Sequence, residues 1–333
     1  MKLSVLDSSP MSSGQTSQEA LEESAALARE AEKLGFTRYW MTEHHDLPGL
    51  ACSAPEVMLS YIGAHTKTIR LGTGAVLLPF YKPFKVAEVH NTLATLFPGR
   101  IDVGIGRTPG GSAEVTNALS DNFLEKVWQL PELIKELEGY LMSSGSWQRG
   151  EEAKISAAPL PETAPELWLL GTSKKSALLA AEKSLPYAFA HFMSDQDMEE
   201  VISQYVDNFV SGEQNRKPEV LVAVSAVCAE TDKRAHEVAL SSLIWSLQKE
   251  KGEGARGVPS IGEASAYPLN NSEKDKLEKM KQKMIIGSPD TAGRELQAIQ
   301  SASRADEIMV MTTAFSQEDR RESYRLIAKK LFK

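Results

Sequence analysis

The sequence predicts a single (β/α)8 barrel, the TIM-barrel fold, over residues 1–333. Eight short β-rich runs alternate with helical patterns along nearly the whole chain. Most of the runs are continuously apolar, as in parallel strands that helices cover on the outside. The length exceeds the roughly 250 residues of a plain barrel, which leaves room for insertions. An open, doubly wound sheet is the alternative, but eight units in series with right-handed crossovers favour closure.

The eight predicted strands share a short, apolar and β-rich composition. They cover residues 3–7, 38–45, 70–79, 100–107, 166–173, 187–193, 220–230 and 307–315.

The segments between the strands carry the signals of helices. Thr16 and Glu19 form the pattern of a capping box, and Gly35 stands where the first helix should end. Ser288 and Pro289 are typical of the start of a later helix. The run "SQEDRRESYRLIAKKL" predicts an amphipathic final helix.

Two stretches exceed the minimum for a barrel. Residues 110–156 are mainly helical in pattern, whereas residues 249–271 are rich in Gly, Pro and Ser and lack periodicity. A loop of this length is usually a lid or is disordered. We therefore predict a lid or insertion at about 249–271, on the side of the active site.

Composition limits the classes of partner and the compartment. The net charge is −8 and no basic cluster stands out, so a nucleic-acid partner is not expected. Cys52 and Cys228 lie far apart and outside any CxxC pattern, which favours a reducing cytoplasm. No apolar run has the length of a signal-peptide core or of a membrane span. The expectation is a soluble, cytoplasmic protein.

Glu43, His44 and His45 follow the second predicted strand, where barrel enzymes place their chemistry. Adjacent strand residues face opposite sides, so the two imidazoles cannot easily share a metal ion, and the sequence lacks the His-x-His pattern of metal-dependent barrel hydrolases. We expect no metal. We interpret His45 as a structural residue that pairs with Glu43, and His44 as the imidazole that faces the cavity.

The run "DVGIGRTPGG" resembles a dinucleotide-binding loop only in part. The third glycine of G-x-G-x-x-G would stand at position 109, which is Pro109, so that interpretation fails. The run is then the glycine-rich end of a strand, and Arg107 follows directly after it. Arg107 is equally consistent with holding a phosphate or carboxylate and with a surface salt bridge.

The run "LLGTSKKSALLA" gives a stronger signal for an anion. Gly171, Thr172 and Ser173 end a strand, and a helix with Ser176 in its first turn follows at once. Free N–H groups and the helix dipole favour phosphate there. The alternative is that Thr172 or Ser173 merely caps the helix. Small residues at Gly74 and Ala75 would let a flat ligand approach the backbone.

Five motifs together, in order along nearly the whole chain, resemble the bacterial luciferase-like flavin monooxygenase family. They are "GFTRYWMTEHH", "LGTGAVLLPFYKPFKVAEV", "LFPGRIDVGIGRTPGG", "WLLGTSKKSALLAAEKSLPYAFAHF" and "IIGSPDTAGRELQAI".

The resemblance implies a (β/α)8 barrel that uses reduced FMN, delivered by a separate flavin reductase, and O2 to oxygenate a small organic substrate. By the same resemblance, His44 is the active-site histidine and Gly74–Ala75 lie against the isoalloxazine ring, with a non-prolyl cis peptide. Arg107 and the group Thr172, Ser173 and Ser176 correspond to phosphate contacts, and His191 faces the same cavity. Relatives commonly form homodimers, which we expect here by analogy.

One position departs from the luminous members of the family. Gly106 replaces their reactive cysteine at the end of the fourth strand, so this chain looks more like the non-luminous, single-gene branch. Three alternatives remain at this point: a deazaflavin-dependent dehydrogenase, a non-catalytic flavin-binding protein and, more distantly, a metal-dependent hydrolase.

Overall fold

The computed structural model describes residues 1–141, 146–147, 154–212 and 216–332. Within these ranges the strands are β1 Lys2–Asp7, β2 Arg38–Met41, β3 Arg70–Leu77, β4 Ile101–Gly106, β5 Ser146–Trp147, β6 Ile155–Ser156, β7 Glu166–Gly171, β8 Tyr187–Ala190, β9 Val220–Cys228, β10 Met284–Gly287 and β11 Glu307–Met311.

The α-helices in the same part of the chain are α1 Ser17–Leu34, α2 Pro55–His65, α3 Pro83–Leu96, α4 Ala113–Leu119, α5 Phe123–Trp128, α6 Leu130–Leu141, α7 Lys174–Glu182, α8 Met198–Asp207, α9 Asp232–Glu250, α10 Ile261–Ala266, α11 Asn271–Gln282, α12 Pro289–Ser303 and α13 Gln317–Leu331. No helix among the described residues is long and apolar enough to cross a membrane.

Eight parallel strands close into a barrel, as the sequence predicts. The ring runs β1-β2-β3-β4-β7-β8-β9-β11, and β11 pairs with β1 to complete it. The open sheet is therefore wrong. The sequence analysis missed β10, whose four residues pair with the C-terminal part of β9, from Ser225 to Cys228. So short an apolar run, directly before a helix start, gives little signal of its own.

The second strand is shorter than predicted. It ends at Met41 instead of residue 45, and residues 42–45 leave the sheet. The argument that His44 and His45 face opposite sides of a strand therefore does not apply. The helix starts agree better with expectation, since Thr16 and Glu19 form the predicted capping box and Gly35 ends α1 with φ of 90°.

The segment 249–271 carries more structure than its composition indicates. After α9 it forms a 3-10 helix at Gly254–Arg256 and then α10, which begins with a capping box of Ser260 and Glu263. Val258 is buried, and its backbone exchanges hydrogen bonds with Met11 and Ser13 in the loop after β1. Residues 110–156 form α4 to α6 and the β5–β6 hairpin, apart from residues 142–145 and 148–153, which lie outside the described residues.

Side chains that point into the barrel form layers, because every second residue of a strand faces inward. A layer of charged residues fills the N-terminal end of the barrel. Above it lies an apolar layer, a cluster that includes Leu6, Trp40, Trp168, Ala188, Leu221 and Met309. Gly72 belongs to this level, because a Cβ there would come within 2.3 Å of the Trp40 indole nitrogen. The space above the apolar layer stays open.

Arg38 is the centre of the charged layer. Its guanidinium donates to Glu307 Oε2 at 3.0 Å, to Asp102 Oδ2 at 3.1 Å and to Glu166 Oε2 at 3.1 Å. The Asp102 and Glu307 side chains are fully buried, and the guanidinium lies over the Trp168 ring, 4.5 Å from its centroid. Arg38 thus joins β2 to β4, β7 and β11 across the interior.

We predict that Arg38→Met lowers the free energy of unfolding by about 3–5 kcal/mol, because it leaves buried carboxylates without their central cation. Arg70→Met is the matched control. Arg70 also binds Asp102, but its side chain is 29% exposed and Asp102 would keep Arg38, so the loss should be about 1 kcal/mol or less. Urea unfolding of both variants measures the difference, and equal small losses would contradict the central role of Arg38.

Candidate functional site

A cavity of about 390 Å³ opens at the C-terminal ends of the barrel strands. This volume is within the usual range for small-molecule sites. Eight of the nine predicted site residues line it: His44, Gly74, Ala75, Arg107, Gly171, Thr172, Ser173 and Ser176. The structure therefore brings together side chains that are up to 132 residues apart in the sequence, from 44 to 176. The sequence analysis found this end of the barrel correctly.

His191 is the predicted residue that the structure does not place in the cavity lining. It begins a 3-10 helix, His191–Met193, and the two residues that follow it, Phe192 and Met193, line the cavity instead. Burial lowers the pKa of His191, and the charge of Lys283 adds to the effect. The turn after β8 thus rotates the imidazole away from the position that a continuous strand to residue 193 would give it.

Glu43 fixes the loop that carries His44. Its carboxylate accepts hydrogen bonds from Tyr81 Oη at 2.6 Å, from His45 Nε2 at 2.7 Å and from the Leu77 backbone N–H at 3.0 Å. These contacts tie residues 43–45 to the end of β3. His45 is therefore structural, with Glu43, as predicted. Burial raises the pKa of Glu43, and the three donors partly offset the rise.

His44 has a different set of neighbours. Its Nδ1 lies 2.9 Å from Thr42 Oγ1, and its backbone N–H donates to the Cys52 carbonyl. Its Nε2 makes no hydrogen bond to a described residue. Burial lowers the pKa of His44 to about 4, and the nearby charge of Lys249 contributes. A ring with this pKa is neutral at pH 7.

One wall of the cavity consists of small residues. The peptide bond between Gly74 and Ala75 is cis, as the resemblance implies, and the β3–β4 pairing shifts register at the same point. Gly106 of β4 faces this segment, since a Cβ at position 106 would lie 3.1 Å from Ala75 Cβ. The wall is therefore backbone and methyl surface, against which a flat ring could lie.

The start of α7 forms a second part of the cavity. Ser173 is the N-cap, and it makes a reciprocal capping box with Ser176. The Ser176 hydroxyl donates to the Ser173 carbonyl at 2.7 Å and lies 3.0 Å from Tyr187 Oη. Gly171 is required beside it, because a Cβ there would come within 2.1 Å of Ser176 Oγ. The capping alternative is thus correct for Ser173, but it leaves the N-terminal end of the helix dipole facing the cavity.

Arg107 completes this end of the cavity. Its side chain is exposed and forms no ion pair with any residue in the described ranges. The charge of Arg107 lowers the pKa of Tyr187, although burial raises it overall. Tyr187 also contacts Ser176, so the guanidinium and the start of α7 lie at the same end of the cavity. The alternative role for Arg107, a surface salt bridge, is therefore not formed with these residues.

One face of α9 also lines the cavity, and the sequence analysis missed it. Ser242, Trp245, Ser246 and Lys249 follow each other at the spacing of one helical face. The available signal was that polar and aromatic residues repeat on a helix that should otherwise pack against the barrel. Three methionines, Met284, Met309 and Met311, were also missed, because they resemble core residues in the sequence. No group of three or more potential metal ligands gathers within the described parts of the chain.

The chain resembles known proteins over nearly its whole length. The family model for luciferase-like monooxygenases matches residues 1–306. The uncharacterized protein YceB of Bacillus subtilis (strain 168) is 40% identical over 98% of both chains. A luciferase-like monooxygenase of Escherichia coli (strain K12) is 32% identical over 97% of this chain and 95% of its own. The N-acetyl-S-alkylcysteine monooxygenase of B. subtilis (strain 168) is 30% identical over 98% of this chain and 97% of its own.

Solved structures show the same fold. Apo-MsnO8 matches with a TM-score of 0.90 and 34% identity over 99% of this chain and 98% of its own. The oxygenating constituent of 3,6-diketocamphane monooxygenase from Pseudomonas putida, in complex with FMN, matches with a TM-score of 0.73 and 17% identity. The match covers 99% of this chain and 97% of that one. An F420-dependent secondary alcohol dehydrogenase matches with a TM-score of 0.65 and 15% identity over 99% of this chain and 98% of its own. The last two show the fold alone. The chain belongs to the luciferase-like monooxygenase family and is an oxygen-incorporating oxidoreductase.

Proposed function

We propose that this protein uses reduced FMN and O2 to oxygenate a small organic substrate in the cavity at the C-terminal end of the barrel. The observation that carries the proposal is the pairing of a flat, small-residue wall at Gly74–Ala75 with a separate anion-binding end at Arg107 and the start of α7. A flavin mononucleotide has these two parts, a planar ring and one phosphate. Reduced FMN supplies the two electrons that reduce O2, so that one oxygen atom enters the substrate and the other leaves as water.

The residues around the phosphate end would hold the cofactor by charge and hydrogen bonds. The Arg107 guanidinium has donors for a phosphate. The Ser173 hydroxyl accepts from the Ser176 N–H and lies 3.3 Å from Ser176 Oγ, and it could turn its proton from that long contact to a phosphate. Thr172, which also lines the cavity, adds a hydroxyl. The dipole of α7 favours the negative charge. We include Gly171 in this group because it allows the close approach of Ser176.

His44 would act at the reacting end as a neutral imidazole. Thr42 orients the ring through Nδ1, which leaves Nε2 to hold or transfer a proton. With a pKa of about 4, the ring gives up an acquired proton readily at neutral pH. The buried Glu43 network keeps the loop in place while this exchange occurs.

The deazaflavin alternative is weaker on the present observations. Two relatives named as monooxygenases are 32% and 30% identical over nearly the whole chain, whereas the F420-dependent structure is 15% identical. The name of one relative suggests a thioether as the first substrate class to test, an N-acetyl-S-alkylcysteine. The segment 249–271 belongs to the same proposal as a cover for the site, to which it contributes Lys249.

Two protein partners are also part of the proposal. A separate flavin reductase would supply reduced FMN. A second copy of the chain would bind to α2 and α3, where Val57, Tyr61 and Leu96 expose apolar surface. Analytical ultracentrifugation checks the dimer, and a monomer at all protein concentrations would exclude it.

We predict that Arg107→Met weakens FMN binding by about 10- to 100-fold but leaves riboflavin binding nearly unchanged, because riboflavin lacks the phosphate. Lys183→Met, beyond the opposite end of α7, is the matched control and should leave both affinities unchanged. Calorimetric titration of each ligand measures the affinities. An equal loss for FMN and riboflavin would place Arg107 outside the phosphate site.

We predict that His44→Ala binds reduced FMN as tightly as the wild type but loses product formation by about 100-fold or more, because the positioned imidazole is removed. His65→Ala, on the exposed end of α2, serves as the control for a histidine outside the cavity. Anaerobic titration with reduced FMN and chromatographic product analysis, beginning with N-acetyl-S-alkylcysteines, measure the two effects. Unchanged product formation would exclude the assigned role.

A further inference from the structure

The α9 wall of the cavity carries a cation that the proposed chemistry of FMN does not use. Lys249 Nζ lies 3.8 Å from the centroid of the Trp245 ring. The Trp245 indole N–H donates to the Gly254 carbonyl at 3.2 Å, which fixes the ring under the ammonium. A cation–π contact of this kind holds the ammonium in one place without neutralising its charge.

Lys249 forms no ion pair within the described ranges of the chain. Its neighbour Glu250 is engaged elsewhere, in an ion pair with Lys276. The carboxylate of the cavity lining, Glu43, already accepts from Tyr81, His45 and Leu77. The charge of Glu250 acts on Lys249, but that carboxylate is paired with Lys276, so the ammonium lines the cavity without a direct ion pair to these groups.

Lys249 and Arg107 serve different ends of the cavity. Arg107 follows β4 and acts on Tyr187, beside the start of α7. Lys249 ends α9 and acts on His44, after β2, and Trp245 packs against Gly49 in the loop that follows His44. One cation is thus beside the phosphate end, and the other is beside the histidine.

Much of the remaining cavity lining is apolar. Leu50, Met284, Met309, Met311, Phe192 and Leu221 line the same cavity. An occupant of this space would gain by having an apolar body for the methionines and one negative group for the ammonium.

We propose that Lys249, held over Trp245, is the specificity-determining residue for the substrate, and that it selects an organic acid with an apolar body through its carboxylate. This inference rests on the proposed function, because it names the substrate class of the same site. It assigns no role to Lys249 in the chemical step. An N-acetyl-S-alkylcysteine, with one carboxylate and an apolar S-alkyl group, belongs to this class.

The test uses matched probes on the full chain, with and without saturating oxidised FMN. Hexanoate, octanoate and decanoate are each compared with their primary amides by calorimetric titration, so that the charge is the main difference within a pair. The wild type should bind the best acid about tenfold more tightly than its amide. Lys249→Met should abolish this preference, and Lys249→Arg should retain it.

Lys251→Met is the matched control, because Lys251 lies two residues further on and is paired with Glu273 instead of facing the cavity. It should leave the acid preference unchanged. Equal binding of acids and amides by the wild type, a preference that survives in Lys249→Met, or no binding of any probe at millimolar concentration would each overturn the proposal.

Measurements of FMN affinity separate this proposal from the proposed function. Lys249→Met should bind FMN as the wild type does. If it loses FMN affinity instead, Lys249 belongs to the cofactor site and the inference is wrong. Failure of FMN to bind the wild type would count against the proposed function, but the acid preference of the protein without FMN would still be measurable.

Discussion

The charge of Arg38, shared among carboxylates from three other barrel strands, is the interaction on which the rest of the structure depends. It occupies the N-terminal end of the barrel, where a closed ring of eight strands would otherwise leave polar space. Trp40 and Trp168 then fill the next layer, with their rings 5.6 Å apart in an edge-on contact. Because side chains fill the N-terminal part of the barrel, the open volume lies at the C-terminal end, where the loops after the strands begin.

The charges around the cavity are unevenly paired. The Glu43 carboxylate, in the cavity wall, accepts hydrogen bonds from His45 and Tyr81 and so holds the loop that carries His44. Arg107 and Lys249 are left as cations without ion pairs among the described residues, and the His44 imidazole, on which the charge of Lys249 acts, is neutral. This charge distribution is the basis for proposing an anionic cofactor at one end of the cavity and an anionic substrate at the other.

The sequence predicted the barrel because parallel strands that are buried on both sides leave continuous apolar runs, which are hard to mistake in number and order. It predicted most of the site because the C-terminal ends of such strands converge. The sequence analysis was wrong about where two strands end, because the path of the chain there depends on the loops that follow. The end of β2 at Met41 depends on Glu43 reaching the Leu77 N–H, a contact between residues 34 apart. The 3-10 helix that begins at His191 leaves its imidazole out of the cavity lining, and the sequence pattern of a continuous strand did not indicate this turn.

Other features had no sequence signal of the kind that was sought. The α9 face was missed because only strand ends were considered as site positions, although Trp245 and Lys249 stand at helical spacing. The low pKa of His44 depends on burial and on Lys249, which is close in space but about 200 residues away in the sequence, and a motif records neither. Periodicity identifies elements and their order, but the environment of one side chain depends on loops whose contacts are long-range.

The most direct measurement of the central claim is anaerobic titration of the protein with reduced FMN, followed by rapid mixing with oxygenated buffer while the absorbance of oxidised flavin is recorded. We predict tight binding of reduced FMN and a delay in the return of oxidised flavin relative to free FMN, because the cavity controls the reaction with O2. Binding of reduced FMN with no delay would contradict an oxygenating site. Absence of binding, together with binding of a reduced deazaflavin, would contradict the choice of cofactor.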